Sequence, residues 1–116
     1  MLKVYLTRGN QGHGVWIDLP TSPAEMGEAY AVLDSIDSVN LDTRISATIS
    51  SVPNLKRYIQ EHDSLKQLDT LAAVINKMSD RDAAIFSGAL DLESVNGIED
   101  VMRIANNLQS YELFPD

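Results

Sequence analysis

The sequence predicts an α+β fold: a small three-stranded antiparallel sheet with a short helix, followed by a helical C-terminal half. Apolar residues alternate with polar ones in short segments before Pro53, which is the strand period. After Pro53 they recur at intervals of three and four residues, which is the helical period. We therefore expect a β-rich N-terminal subdomain over residues 1–53 and a helical C-terminal subdomain over residues 54–116.

The first two predicted strands form a hairpin. Leu2–Thr7 (LKVYLT) and Val15–Leu19 (VWIDL) are rich in residues that favour strands, and the stretch GNQGHG joins them. A phosphate-binding loop would need a lysine and a hydroxyl after its last glycine, with a helix next. Valine and tryptophan follow here instead, in a strand, so the glycines indicate a turn.

Trp16 lies in the second of these strands. Alternation places it on the face opposite Val15 and Ile17. We expect Trp16 to pack where the sheet and the helices meet; the alternative is a half-exposed tryptophan at the edge, since tryptophan is seldom fully buried.

A short helix and a third strand follow the hairpin. Ser22 suits the N-cap, Pro23 suits the first helical position, and Glu25 completes a capping box. Arg44–Ser50 (RISATIS) alternates apolar and small polar residues, so we expect it to pair with the hairpin.

The C-terminal half predicts a series of helices. Their expected ranges are Leu55–His62, Ser64–Met78, Asp80–Leu90 and Ile98–Leu108. Ser79, with Asp82 three residues later, marks a helix start. We expect the apolar residues of the tail YELFPD to fold back onto these helices.

Composition excludes several functions. The 116 residues contain no cysteine, so disulfides, zinc–thiolate sites and thiol nucleophiles are excluded. A formal net charge of −8 excludes charge-driven binding to nucleic acid or anionic membranes, because that binding needs Lys and Arg. No apolar run approaches the roughly 18 residues of a membrane span, and the N-terminus lacks a signal-peptide core. We therefore expect a cytoplasmic protein.

No pattern of catalytic or metal-binding residues is present. His13 and His62 are the only histidines, and neither has a partner at helical spacing. There is no G-x-S-x-G nucleophile motif. Adjacent Glu99 and Asp100 would point about 100° apart on a helix and share no site. The sequence therefore predicts no catalytic residues, no metal and no cofactor, and a protein that is not an enzyme.

The negative charge is concentrated in two stretches of the chain. Residues 15–42 contain six acids and no Lys or Arg, and residues 80–116 contain eight acids against two bases. These carboxylates are candidates for a surface that resembles a phosphate backbone and binds a basic protein. The predicted interaction residues are Asp18, Glu25, Glu28, Asp34, Asp37, Asp42, Asp80, Asp82, Asp91, Glu93, Glu99 and Asp100.

The order of these motifs resembles that of the ArdA family of antirestriction proteins, which conjugative plasmids and transposons encode. VYLTRGN leads through spaced glycines into GVWIDL, similar to the G-x-W-x-D-L segment of that family. The Leu65–Leu68 stripe, the Ser79–Asp82 helix start and the run NNLQSYELFP are also similar to segments of the family. The resemblance covers the family's N-terminal and middle segments; its third segment, which carries the dimer contact, has no counterpart in these 116 residues.

The resemblance implies an acidic mimic of B-form DNA. Such a protein occupies the DNA groove of a type I restriction-modification enzyme, needs no cofactor and catalyses no reaction. Its partner would be a basic DNA-binding protein such as the methyltransferase of that system, with no direct binding to nucleic acid or membrane. The alternative is a non-enzymatic adaptor or accessory protein of a mobile genetic element, which would bind another protein through its helical half.

Overall fold

The computed structural model describes residues 1–9, 13–39 and 42–108, and it confirms the α+β fold. The molecule is elongated, with principal dimensions of 55 × 27 × 17 Å. Its elements in chain order are β1 (Leu2–Arg8), β2 (Gly14–Leu19), α1 (Pro23–Ile36), β3 (Thr43–Ser50), a 3₁₀ turn (Leu55–Tyr58), α2 (Leu65–Asn76), α3 (Asp80–Leu92) and α4 (Ile98–Asn106).

The three strands form the expected antiparallel sheet, with β1 at the centre and the order β2-β1-β3. Leu2, Val4 and Leu6 of β1 are 0–1% exposed and supply one face of the sheet to the core. The β1–β3 register shifts between Tyr5 and Leu6. Such a bulge re-aims the side chains that follow it.

Gly14 is required by the close approach of two strands. A Cβ atom at this position would lie 1.8 Å from the carbonyl oxygen of Leu6. Its N–H donates to the hydroxyl of Tyr5 at 2.7 Å. At least one glycine of the GNQGHG stretch therefore serves strand packing, in agreement with a turn rather than a ligand loop; residues 10–12 lie outside the described ranges.

Serine caps begin three of the helices, two of them as the sequence predicts. The Oγ atoms of Ser22 and Ser79 accept the backbone N–H groups of Glu25 and Asp82, each at 3.1 Å. Ser64 makes the same contact with Gln67 at 3.3 Å. These bonds satisfy N–H groups that a helix leaves unpaired in its first turn.

The segment predicted as a helix over Leu55–His62 is shorter than expected. Only Leu55–Tyr58 is helical, as a 3₁₀ turn, and Ile59 is already extended. The next residues are polar, and the carboxylate of Asp63 accepts the N–H of Gln60 at 2.7 Å, which forms a local turn in place of a helix. The tail over residues 109–116 lies outside the described residues.

One hydrophobic cluster joins the sheet to the helices. Val52 and Leu55, which follow β3, are 2% and 0% exposed and belong to the same cluster as both the strands and α2–α4. The largest fully buried side chain is that of Phe86 on α3. The division into subdomains at residues 53 and 54 stays a prediction.

The expectation for Trp16 is wrong. The side chain is 45% exposed and lies against Tyr5, with ring centroids 5.0 Å apart, on the face of the sheet that the helices leave open. Alternation did separate Trp16 from Ile17, but the helices cover the face of Ile17, which is 5% exposed. Strand alternation defines two faces without deciding which one the rest of the chain covers.

Candidate protein-interaction surface

None of the twelve predicted interaction carboxylates belongs to a buried residue. Four belong to half-buried residues, namely Asp37, Asp82, Glu93 and Asp100. The others belong to exposed residues, namely Asp18, Glu25, Glu28, Asp34, Asp42, Asp80, Asp91 and Glu99. Exposed carboxylates keep their hydration and can meet the cations of a partner without a prior burial cost.

The structure brings three acids of the first stretch together. Asp18 of β2 and both Glu25 and Glu28 of α1 line one groove, next to Trp16. Asp18 lies 3.5 Å from the ammonium of Lys3 on the neighbouring strand. Neither glutamate forms an ion pair within the described residues, so these two carry the uncompensated charge of the groove.

Asp34 has a partner inside the fold. Its carboxylate makes a close ion pair with the guanidinium of Arg8, whose side chain is only 6% exposed. Arg8 also donates from Nε to the hydroxyl of Thr43 at 2.9 Å and lies 5.6 Å from the ring centre of Tyr30. The negative charge of Asp34 therefore balances a buried cation rather than adding to an open acidic surface.

The remaining acids of the first stretch lie beyond α1. Asp37 is the residue that ends this helix, and its carboxylate accepts the N–H of Val39 at 3.1 Å. Asp42 comes just before β3. Neither lines the groove of Asp18, so the first stretch is divided between two places on the surface.

The acids of α3 lie at its two ends. Asp80 and Asp82 occupy the first turn, where negative charge favours the helix dipole. Asp91 lies in the last turn, and both of its carboxylate oxygens accept from the side-chain Nδ2 of Asn54, each at 3.0 Å. Asp80 and Asp91 are eleven residues apart, so they lie on nearly the same side of the helix, about 16 Å from each other along its axis.

The acids of α4 line an open polar cleft of about 470 Å³. Glu99 and Asp100 lie there together with Asp63. Asp100 accepts the N–H of Asn96 at 2.9 Å and is 3.8 Å from Arg103. The charge pattern of the sequence does not single out Asp63, because this residue lies in the stretch where Lys and Arg balance the acids. Only the fold brings Asp63 to the start of α4.

The described residues contain no arrangement that would hold a metal ion. No group of three or more His or carboxylate side chains is close enough together in these ranges. The contact of His62 with Glu61, at 3.5 Å, is exposed and involves neighbouring residues. No helix in the described part of the chain has the length and apolar character needed to cross a membrane.

Comparison of the chain with protein-family models, with curated proteins and with solved structures finds no match. The resemblance to the ArdA family therefore rests on the sequence motifs alone.

Proposed function

We propose that this protein is an acidic DNA mimic, which inhibits a type I restriction-modification enzyme by occupying its DNA groove. The observation that carries the proposal is the distribution of exposed carboxylates along an elongated molecule. Asp18 and Glu28 lie at the sheet and α1, whereas Asp80, Asp91 and Glu99 lie on α3 and α4. A basic groove built for DNA could meet several of these carboxylates at once.

The dimensions and charge support partial mimicry of a duplex. A length of 55 Å corresponds to about 16 base pairs, which carry about 32 phosphate charges. The protein has seventeen acidic residues and nine basic ones. Its field is therefore weaker than that of DNA, and the proposed target contacts only the more acidic parts of the surface.

The proposed activity is stoichiometric binding. No bond is made or broken and no cofactor takes part, so inhibition follows from occupancy of the groove. Each exposed carboxylate that meets a Lys or Arg contributes about 0–1 kcal/mol. The affinity must then come from many contacts together, and it should fall steeply with salt.

A competition experiment tests the proposal. The protein is titrated into a complex of a type I methyltransferase core with labelled DNA, at about 50 and 200 mM salt. We expect the protein to displace the DNA, and to do so less strongly at the higher salt concentration. If protein and DNA bind the enzyme simultaneously, or if affinity is the same at both salt concentrations, mimicry is excluded and the adaptor function is favoured.

A further inference from the structure

The outer edge of β2 is open for pairing with another strand. In the described part of the chain, β2 has β1 as its only neighbouring strand. Alternate residues of Gly14–Leu19 therefore direct their N–H and C=O groups away from the sheet. At the opposite edge, by contrast, the N–H of Ile45 in β3 donates to the carbonyl of Glu61 at 2.8 Å.

Several of the features that protect a sheet edge are missing from β2, although it carries one charged residue, Asp18. Lysines, prolines and bulges keep edge strands from pairing with other chains. The six residues GVWIDL include no lysine or proline, and their register with β1 has no shift. An edge of six residues in unbroken register offers a template for a further strand.

A groove of about 290 Å³ lies along this edge, with β2 on one side and α1 on the other. Its exposed apolar groups are Trp16 and Val32, whose side chains are 45% and 43% exposed. Its acids are Asp18, Glu25 and Glu28. The groove therefore combines unpaired backbone groups, apolar surface and negative charge.

We propose that this groove binds an extended basic segment of a partner protein, which adds a fourth strand beside β2. The α1 helix covers the same face of the sheet as Ile17, so alternate side chains of the added strand face Val32 and are apolar. The others lie on the open face beside Trp16 and Asp18, where Lys or Arg finds an aromatic ring and a carboxylate. Backbone pairing supplies affinity, and the alternating side chains supply specificity.

The charge of the groove argues for a basic partner and against a second copy of this chain. Two copies paired through β2 would bring two sets of Asp18, Glu25 and Glu28 together, and like charges across an interface oppose association. A basic segment meets the same carboxylates with opposite charge. The inference does not depend on DNA mimicry, because it concerns a strand edge rather than a surface that resembles phosphates.

The first test uses a capped eight-residue peptide in which Val and Lys alternate. Trp16 is the only tryptophan, so its fluorescence reports binding directly. We expect a saturable change in fluorescence, together with slower hydrogen exchange at alternate backbone amides of Gly14–Leu19. The control peptide is N-methylated at alternate residues, which keeps composition and charge but removes the pairing N–H groups; it should not bind.

The second test reverses charge at the groove. Glu25→Lys combined with Glu28→Lys should weaken binding of the Val–Lys peptide about tenfold or more at low salt. The matched control, Asp80→Lys combined with Glu99→Lys, changes the net charge equally and should leave peptide binding within about twofold, because these residues lie outside the groove. Peptide binding to the Trp16→Ala variant is measured by NMR. We expect this substitution to weaken binding by a similar factor to Glu25→Lys combined with Glu28→Lys.

Several results would overturn the proposal. Absence of peptide binding, or equal binding of the N-methylated peptide, would exclude strand addition. An equal loss of affinity in the groove variant and in the control would mean that the peptide responds to net charge alone. A dimer of the free protein with β2 amides already protected would mean that a second copy occupies the edge.

Discussion

The guanidinium of Arg8, at the end of β1, is enclosed in the fold and paired with the exposed end of Asp34 on α1. The side chain of Arg8 is 6% exposed, whereas that of Asp34 is 58% exposed. Arg8 also contacts Thr43 of β3 and the ring of Tyr30. One buried cation thus connects the central strand, the helix and the third strand, and its charge is balanced from the solvent side.

This asymmetry predicts the effect of removing Asp34. Asp34→Asn leaves the buried cation of Arg8 without its counterion, and we expect a loss of about 1–3 kcal/mol in the free energy of unfolding. Arg8→Met should cost less than Arg8→Ala, because it keeps contact with Tyr30 while the carboxylate left behind is hydrated. Urea unfolding of Asp34→Asn, Arg8→Met and Arg8→Ala measures the loss in the free energy of unfolding for each variant.

The exposed pair of Lys3 and Asp18 provides the control. These side chains are 42% and 71% exposed and lie 3.5 Å apart. Asp18→Asn should change stability by about 0.5 kcal/mol or less. If Asp34→Asn is as mild as Asp18→Asn, the Arg8 pair contributes no more than a surface contact.

Trp16→Ala should be a mild substitution. The side chain is half exposed and its main contact is the ring of Tyr5, so we expect a loss of about 0.5–1.5 kcal/mol. Phe86→Ala, at a residue that is 0% exposed, should cost about 3–5 kcal/mol. Chemical unfolding followed by circular dichroism compares the two without relying on tryptophan fluorescence, and similar losses would contradict the exposed position of Trp16.

Gly14→Ala should disturb the pairing of β1 with β2. The added methyl group would overlap the carbonyl oxygen of Leu6, so the strands must separate, at a cost of about 1–3 kcal/mol. Gly27→Ala is the matched control: nothing lies within 4 Å of its Cβ position on α1, and alanine should stabilise the helix by about 0.5–1 kcal/mol. Opposite shifts in the thermal midpoint are expected, and shifts of the same sign would contradict the close approach at Gly14.

Charge reversal on α3 and α4 tests the proposed mimicry. Single substitutions should have little effect on inhibition, because each exposed contact contributes about 0–1 kcal/mol. Asp80→Lys, Asp91→Lys and Glu99→Lys together should weaken inhibition of a type I restriction enzyme about tenfold or more, since attraction becomes repulsion at three places. The Asp80 and Glu99 changes also lose a favourable helix-dipole contact, at about 0.3–1 kcal/mol each.

The control for the triple charge reversal is a variant that has the same net charge but keeps every carboxylate. Lysines introduced at six exposed neutral residues achieve this, and suitable positions are Ala24, Ala31, Thr70, Asn76, Ala84 and Asn106. If the control loses as much inhibition as the triple reversal, net charge rather than the position of the acids determines binding. Asp34 is unsuitable for reversal, because a lysine there would face the buried Arg8.

The acidic residues illustrate how far the sequence predicts a site. Eight of the twelve carboxylates that it predicted belong to exposed residues and none belongs to a buried one, because stretches rich in acids seldom enter a core. It could not separate Asp34, which balances a buried arginine, from Asp80, which has no ion pair in the described residues. It also missed Asp63, which the chain brings to Glu99 and Asp100 from a segment of balanced charge. Contacts between residues far apart in sequence leave no local pattern.

The sequence by itself determined the three strands, the helices α2, α3 and α4, and the caps at Ser22 and Ser79. These depend on hydrophobic period and on contacts within three or four residues. The tertiary structure alone decided which face of β2 the helices cover, where Arg8 finds its counterion, and that the edge of β2 stays open beside α1. The physical reason is that side chains alternate along a strand in the same way whichever of its two faces becomes buried. The alternation also does not indicate which edge of the strand stays unpaired. Only the packing of α1 against β2 makes the face of Ile17 and Leu19 part of the core and leaves Trp16 at the surface.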